Sequence, residues 1–197
     1  MQVAAQRRFY TPEEYLALEE TAEFRSEYCN GERRLRTGGS INHNRIVGNF
    51  YAFLKFAFCG QNLEVFSSDL RLWIPRYQQY TYPDVMAIQG KPIFHNCRTD
   101  TVTNPCTIVE VLSKSTQNRD RTDKFRYYRS IPECQEYVLV NQYQIQVEQY
   151  TRTEGGLWLF REHETEVASP VFAAGKATMS LTEVYEGVDF GMNEGEH

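Results

Sequence analysis

Apolar residues recur in three rhythms along this chain of 197 residues. Between Ser40 and Gly60, Ile46, Phe50, Leu54 and Phe58 stand four apart, the stripe of an amphipathic helix that the serine caps and the glycine ends. Between positions 64 and 74 the period is two, placing Phe66, Leu70, Leu72 and Ile74 on one face of a predicted strand. Positions 106–112, Cys-Thr-Ile-Val-Glu-Val-Leu, form instead a run of apolar and β-branched residues. That is the pattern of a central strand buried on both faces.

Local signals supply the remaining elements. Thr11-Pro12-Glu13-Glu14 opens a helix to about Glu20, with a threonine cap, proline in the first turn and acids at the positive end of the dipole. Positions 25–36 read as a hairpin around Asn30-Gly31, and Thr37-Gly38-Gly39 breaks the chain after it. A turn over 75–80 leads to a strand over 82–88, and 90–104 is irregular. Ser115 or Thr116 caps a third helix to about Ser130, which Pro132 stops before a strand over 136–140. Positions 144–151 and 157–161 pair across Glu154-Gly155-Gly156, and 182–186 form a last short helix. The pattern predicts a mixed α/β fold, a central mixed sheet flanked by helices, with an N-terminal helix and hairpin. One domain is expected over 1–190, followed by a flexible acidic tail over 191–197.

Composition narrows the function classes. Hydrophobic residues at 41% and aromatics at 14% suffice for a core and exclude intrinsic disorder. Every long apolar stretch is interrupted before a bilayer could be spanned, and no secretory leader opens the chain, so a cytoplasmic protein is expected. The five cysteines, Cys29, Cys59, Cys97, Cys106 and Cys134, show no metal-binding spacing and read as reduced, mostly buried thiols. The net charge of −5 argues against a nucleic-acid partner, but nine acids and two bases from Glu154 onward account for it. The rest of the chain is slightly basic, and positions 114–129 hold six bases against Asp120 and Asp123. Such a stretch can meet phosphates, or can be a solvated helix face.

Two acids stand out. Asp84 follows Pro83 at the start of an apolar strand, and Glu110 lies between Val109 and Val111 in the most buried one. A carboxylate inside a sheet costs several kcal/mol unless a cation or hydrogen bonds compensate it. Two of them aimed at one point, without a His/Cys cluster, suit a hard cation such as Mg²⁺ or Mn²⁺ and the hydrolysis of phosphodiesters. The plain alternative is a pair of structural salt bridges to Arg119, Arg121 or Arg126.

The residues around these acids resemble the Uma family of bacterial restriction-endonuclease proteins, within the PD-(D/E)XK nuclease superfamily. The likeness rests on Tyr-Pro-Asp at 82–84, Ile-Val-Glu-Val-Leu-Ser-Lys-Ser-Thr at 108–116, Asp-Lys-Phe-Arg-Tyr-Tyr at 123–128 and Glu-Tyr-Val-Leu-Val at 136–140. Tyr-Thr-Pro-Glu-Glu-Tyr-Leu at 10–16, Ser-Glu-Tyr-Cys-Asn-Gly-Glu at 26–32 and His43 follow the same order. It implies a restriction-endonuclease-like core, Asp84 and Glu110 as metal ligands with the Val111 carbonyl as a third, DNA as substrate, Mg²⁺ as cofactor and a homodimer. The superfamily's lysine should stand at 112, where this chain has Leu112. The resemblance offers Lys124, a migrated lysine on the following helix, in its place; helix geometry alone would make it an exposed partner of Asp120.

Glu27 matches the family's N-terminal acid or is an exposed strand residue, and His43 either contacts phosphate or caps its helix. Asp69 reads as a structural partner of Arg71. Trp73 and the tyrosines at 77, 80 and 82 read as packing residues. A catalytically degenerate nuclease fold, serving as a nucleic-acid or protein interaction module, is the second functional expectation. It is favoured if Lys124 points away from the carboxylates while a basic surface persists.

Overall fold

The computed structural model describes residues 8–36, 38–172 and 176–191. Positions 192–197, nearly all of the expected acidic tail, lie outside them.

Thr11 caps α1 (Pro12–Glu20) through a reciprocal box with Glu14. The hairpin joins β1 (Ser26–Cys29) to β2 (Glu32–Leu35), with Asn30 and Gly31 both at positive φ, as a two-residue turn of the primed type requires. Gly31 carries a second constraint. A Cβ there would lie 2.8 Å from the Phe9 ring, because the chain at Tyr10 is bonded to the turn through its amide and the Gly31 carbonyl. Gly31→Ala is therefore expected to cost about 2 kcal/mol, combining left-handed strain with the contact; urea denaturation reads it as a lowered midpoint at unchanged slope.

Ser40 caps α2 (Ile41–Ala57), whose stripe of Ile46, Phe50 and Leu54, continued by Phe58, is entirely buried. The predicted strand over 64–74 is two strands in different sheets. These are β3 (Leu63–Ser67) and β4 (Arg71–Ile74), parted where Ser68 takes φ 41°. Asp69 sits in that break, and Arg71 turns to Asp100 and the Tyr82 hydroxyl rather than to Asp69. A short strand, β5 (Gln79–Thr81), claims part of the expected turn, and β7 (Thr101–Val102) part of the irregular segment.

The larger sheet runs β11–β10–β9–β8–β6–β3, with β6 (Val85–Gln89), β8 (Thr107–Leu112), β9 (Glu136–Asn141), β10 (Val147–Arg152) and β11 (Trp158–His163). β8 lies parallel to β9 and antiparallel to β6, so the sheet is mixed. The smaller sheet runs β2–β1–β5–β4–β7. Two further short strands, β12 (Val171–Phe172) and β13 (Ala177–Thr178), pair with each other, and a helix at Leu181–Val184 follows.

Each face of the larger sheet has its own core. Val85, Ala87, Val109, Val111, Val138 and Val140 pack under α2 and the C-terminal helix. Met86, Ile88, Ile108, Leu112, Tyr137 and Leu139 pack against Leu72 and Ile74 of the smaller sheet and against Tyr127 and Tyr128. Glu110 alternates with Ile108 and Leu112, so it faces this second core.

The third helix, α3, spans 117–128 and is not uniformly α. A π-turn at Asp120–Lys124 separates the α-segments Gln117–Arg119 and Phe125–Tyr128. Among the described residues no helix is long and apolar enough to cross a membrane. All five cysteines are free; Cys29 and Cys134 are buried, Cys106 is half-buried, and Cys59 and Cys97 are exposed, so they are less buried than expected.

Candidate active site

The antiparallel register of β6 on β8 sets Val85 opposite Val109, so one residue earlier Asp84 reaches the Glu110–Val111 peptide. Pro83 cannot donate to a ladder, and there the Asp84 side chain continues the pairing, its Oδ2 accepting the Val111 amide at 2.9 Å. The same oxygen lies 3.2 Å from His43 Nε2, and Arg36 Nη2 donates to Oδ1 at 3.3 Å. Burial pushes the Asp84 carboxyl up, but His43, the Val111 amide and Lys124 outweigh it and hold the group below the usual range.

Glu110 is buried on the helix side of the sheet, where α3 brings two donors to it. Lys124 Nζ donates to Oε1 at 2.9 Å, and the Tyr128 hydroxyl donates to the same oxygen. Oε2 receives no hydrogen bond from the described residues. Lys124 also lies 3.1 Å from Asp120 Oδ1 and 3.7 Å from Glu27 Oε1. The π-turn sets Asp120 and Lys124 on the buried side together, and Tyr137 donates to the Asp120 carbonyl within it. Asp120 Oδ1 accepts no hydrogen bond of good geometry, so its tie to Lys124 is electrostatic.

Glu27 is buried rather than exposed. Thr81 Oγ1 donates to it at 2.6 Å, and Arg119 Nη1 at 2.5 Å. Burial opposes its ionisation, yet Lys124 and Arg119 hold its pKa at about 2.

Four buried carboxylates, Glu27, Asp84, Glu110 and Asp120, thus share three permanent cations, Arg36, Arg119 and Lys124. The excess negative charge falls on Glu110. Burial, with Asp84 and Asp120 nearby, raises its pKa to about 7 despite Lys124. For Lys124, burial alone would lower the pKa, but Glu110, Glu27 and Asp120 raise it well above 10.5. The lysine is a fixed cation.

Asp84, Glu110, Lys124 and Glu27 therefore stand in one linked cluster. Val111 meets Asp84 through its amide. His43 contacts the same carboxylate, and its Nδ1 is buried without a partner beside Gly39, where a Cβ would lie 2.6 Å from that atom. Neither strand carboxylate is taken by the three arginines weighed as structural partners. Arg119 pairs with Glu27, Arg121 with Glu148 and Arg126 with Asp123. Those pairs consume most of the basic stretch of α3, which is not a free cationic face. Sequence reasoning missed Arg36, Tyr128 and Thr81 as members of the cluster. The Asp-x-x-x-Lys spacing of Asp120 and Lys124 was visible, but as a surface pair.

The donor set suits a hard divalent cation in kind. It offers carboxylate oxygens without thiol competitors, and the hydrogen bonds that reach Glu110 fall on Oε1. Among the described residues no three His, Cys, Asp or Glu side chains are gathered closely enough to form a complete ligand set, so backbone oxygen and water would supply the balance.

Comparison with known proteins places this geometry in context. The family model Uma2, described as "Putative restriction endonuclease", matches residues 12–182. An uncharacterized protein of Synechocystis sp., sll1609, is 41% identical over 162 residues, covering 82% of this chain and 92% of that protein. Another from the same organism, slr1290, is 33% identical over 180 residues, covering 91% and 93%. A crystal structure from Anabaena variabilis, described as "a putative nuclease belonging to DUF820", superposes with a TM-score of 0.73 at 17% identity. It covers 89% of this chain and 97% of the other, a likeness of fold.

Proposed function

Given that the chain belongs to the Uma2 family, whose description is "Putative restriction endonuclease", we propose that it hydrolyses DNA phosphodiester bonds in a metal-dependent reaction at this cluster. The observation that supports the reading is Lys124: its ammonium lies on Glu110, one residue from the amide that binds Asp84. The opposite orientation would have favoured the interaction-module alternative.

Asp84 and Glu110 would hold Mg²⁺, or Mn²⁺ in its place, with the Val111 carbonyl, which leaves its strand on the same side as the amide facing Asp84. When bound, the ion polarises the phosphoryl group and acidifies a water. This chain's own residues do the rest. Lys124, always charged, stabilises negative charge developing on the phosphoryl oxygens and cannot serve as a base. Glu27, ionised at all working pH values, orients Lys124 and anchors Arg119. Tyr128 fixes the Glu110 carboxyl, leaving Oε2 to face the reacting atoms. Leu112 stays in the second core, and its place in the chemistry passes to α3.

Titration calorimetry with Mn²⁺ tests the assignment. Asp84→Asn is expected to remove binding, and plasmid cleavage with it, while far-UV circular dichroism stays that of the wild type. Binding that survives in Asp84→Asn overturns the site.

A further inference from the structure

Both carboxylate oxygens of Asp84 have donors, and the donors are not equally firm. Oδ2 accepts the Val111 amide at 2.9 Å and lies 3.2 Å from His43 Nε2, while Oδ1 accepts Arg36 Nη2 at 3.3 Å. The Val111 amide belongs to the backbone of β8 and cannot withdraw. His43 stands in the first turn of α2, with its side chain 17% exposed. Arg36 makes the longest of the three contacts and, at 26%, has the most exposed side chain. Its main chain is fixed, because its amide donates to the Arg25 carbonyl at 2.9 Å and extends the hairpin by one pair. What can move is the side chain.

That side chain has a resting place that does not involve the Asp84 carboxylate. Arg36 Nη1 donates to the Ser68 carbonyl at 2.9 Å, in the break between β3 and β4, and the guanidinium lies 5.6 Å from the centre of the Tyr82 ring. A guanidinium offers five donors on a planar fork, so one edge can stay anchored while the other releases its acceptor.

The charge of the cluster indicates when it should let go. Among the described residues the four buried carboxylates hold three permanent cations, of which Arg36 is the most exposed, against 19% for Arg119 and 7% for Lys124. A divalent ion joining all three would leave an excess of positive charge. With Arg36 withdrawn, the four carboxylates keep Arg119 and Lys124 and lack two positive charges, which is what Mg²⁺ or Mn²⁺ brings. A guanidinium and a divalent ion sharing one buried carboxylate also repel each other, more strongly than they would in water.

We infer that Arg36 is a placeholder cation: it satisfies Asp84 Oδ1 when no metal is bound, competes there with the divalent ion, and so sets how tightly the ion is held. It is a positioning residue that acts through Asp84. The inference rests on the metal-site reading given above, and it concerns affinity for the ion rather than cleavage.

Titration calorimetry with Mn²⁺ on the full-length chain tests it. Arg36→Met, which keeps the stem and removes the charge, is expected to bind Mn²⁺ tighter than wild type by about fivefold or more. Arg36→Lys, which restores the charge, should lose most of that gain. An arginine that merely orients Asp84 would give the opposite sign, weaker binding in Arg36→Met. A second measurement needs no folded Arg36→Met: the NMR signal of the Arg36 Nε–H group in wild type, assigned by its loss in Arg36→Lys, should shift with Mg²⁺ along the binding isotherm. Equal or weaker Mn²⁺ binding by Arg36→Met overturns the inference and leaves the metal site standing, because Asp84→Asn tests that site separately. An equal gain in Arg36→Lys, or an Arg36 signal unmoved at saturating Mg²⁺, overturns it as well. Binding by Arg36→Met with none by wild type supports it in its strongest form. If neither binds, the metal-site reading falls and the inference falls with it.

Discussion

Lys124→Met is expected to lower metal-dependent cleavage by about 10³-fold and the stability of the fold by about 4 kcal/mol. The two losses have different origins. On the proposed mechanism, cleavage falls because a preorganised cation is lost from the cluster. Stability falls because Glu110, Glu27 and Asp120 all lie within 4 Å of the ammonium and stay buried without it. Glu110→Gln added to Lys124→Met should therefore recover a large part of the stability and none of the activity. Urea denaturation and plasmid cleavage, read on the single and double variants, check both halves. A lysine acting only as a strut would lower stability as much, but leave cleavage by folded Lys124→Met close to that of wild type.

The metal-free protein is expected to lose stability as pH rises from about 4.5 to about 7. Glu110 titrates at about 7 in the fold against 4.5 for an ordinary glutamate, so within this window the folded state binds the extra proton. The unfolded chain binds fewer protons, and the slope of unfolding free energy against pH is negative. Integrated over the shift, the loss is on the order of 3 kcal/mol. Glu27 acts with the opposite sign in a separate window. Its pKa of about 2 contributes stability that is present above 4.5 and lost as pH falls toward 2. The two together give a maximum near pH 4.5 rather than at neutrality. Glu110→Gln should flatten the neutral side and leave the acid side intact. Millimolar Mg²⁺ should raise stability progressively above pH 5, where Glu110 gives up its proton. Denaturation midpoints measured across pH 3–8, with and without the ion, test the sign directly.

What could be read from the sequence was what is decided locally. The threonine box at α1, the Asn30-Gly31 turn, the four-residue stripe of α2 and the apolar run of β8 are each set by neighbours within a few positions. The split between β3 and β4 escaped because Ser68 takes a left-handed conformation with no glycine to announce it. The burial of Glu27 escaped for another reason: its partners, Thr81, Arg119 and Lys124, come from 54 to 97 positions away in the sequence. Arg36 is the sharper case. It sits 48 positions from Asp84, and nothing near either residue records that they meet. The carboxylates themselves were legible because a charge inside an apolar strand violates the local pattern, whereas their cations lie in segments where charge is ordinary.

The π-turn of α3 has a consequence for the helix's own cohesion. Over Asp120–Lys124 the regular α spacing gives way to a wider turn with poorer backbone bonding. That turn is held in addition by what it meets across the interface, Lys124 on Glu110 and Glu27 and the Tyr137 hydroxyl on the Asp120 carbonyl. Order in this stretch of backbone is thus tied to the charge balance beneath it, and a change among the carboxylates is felt in the helix as well as in the cluster.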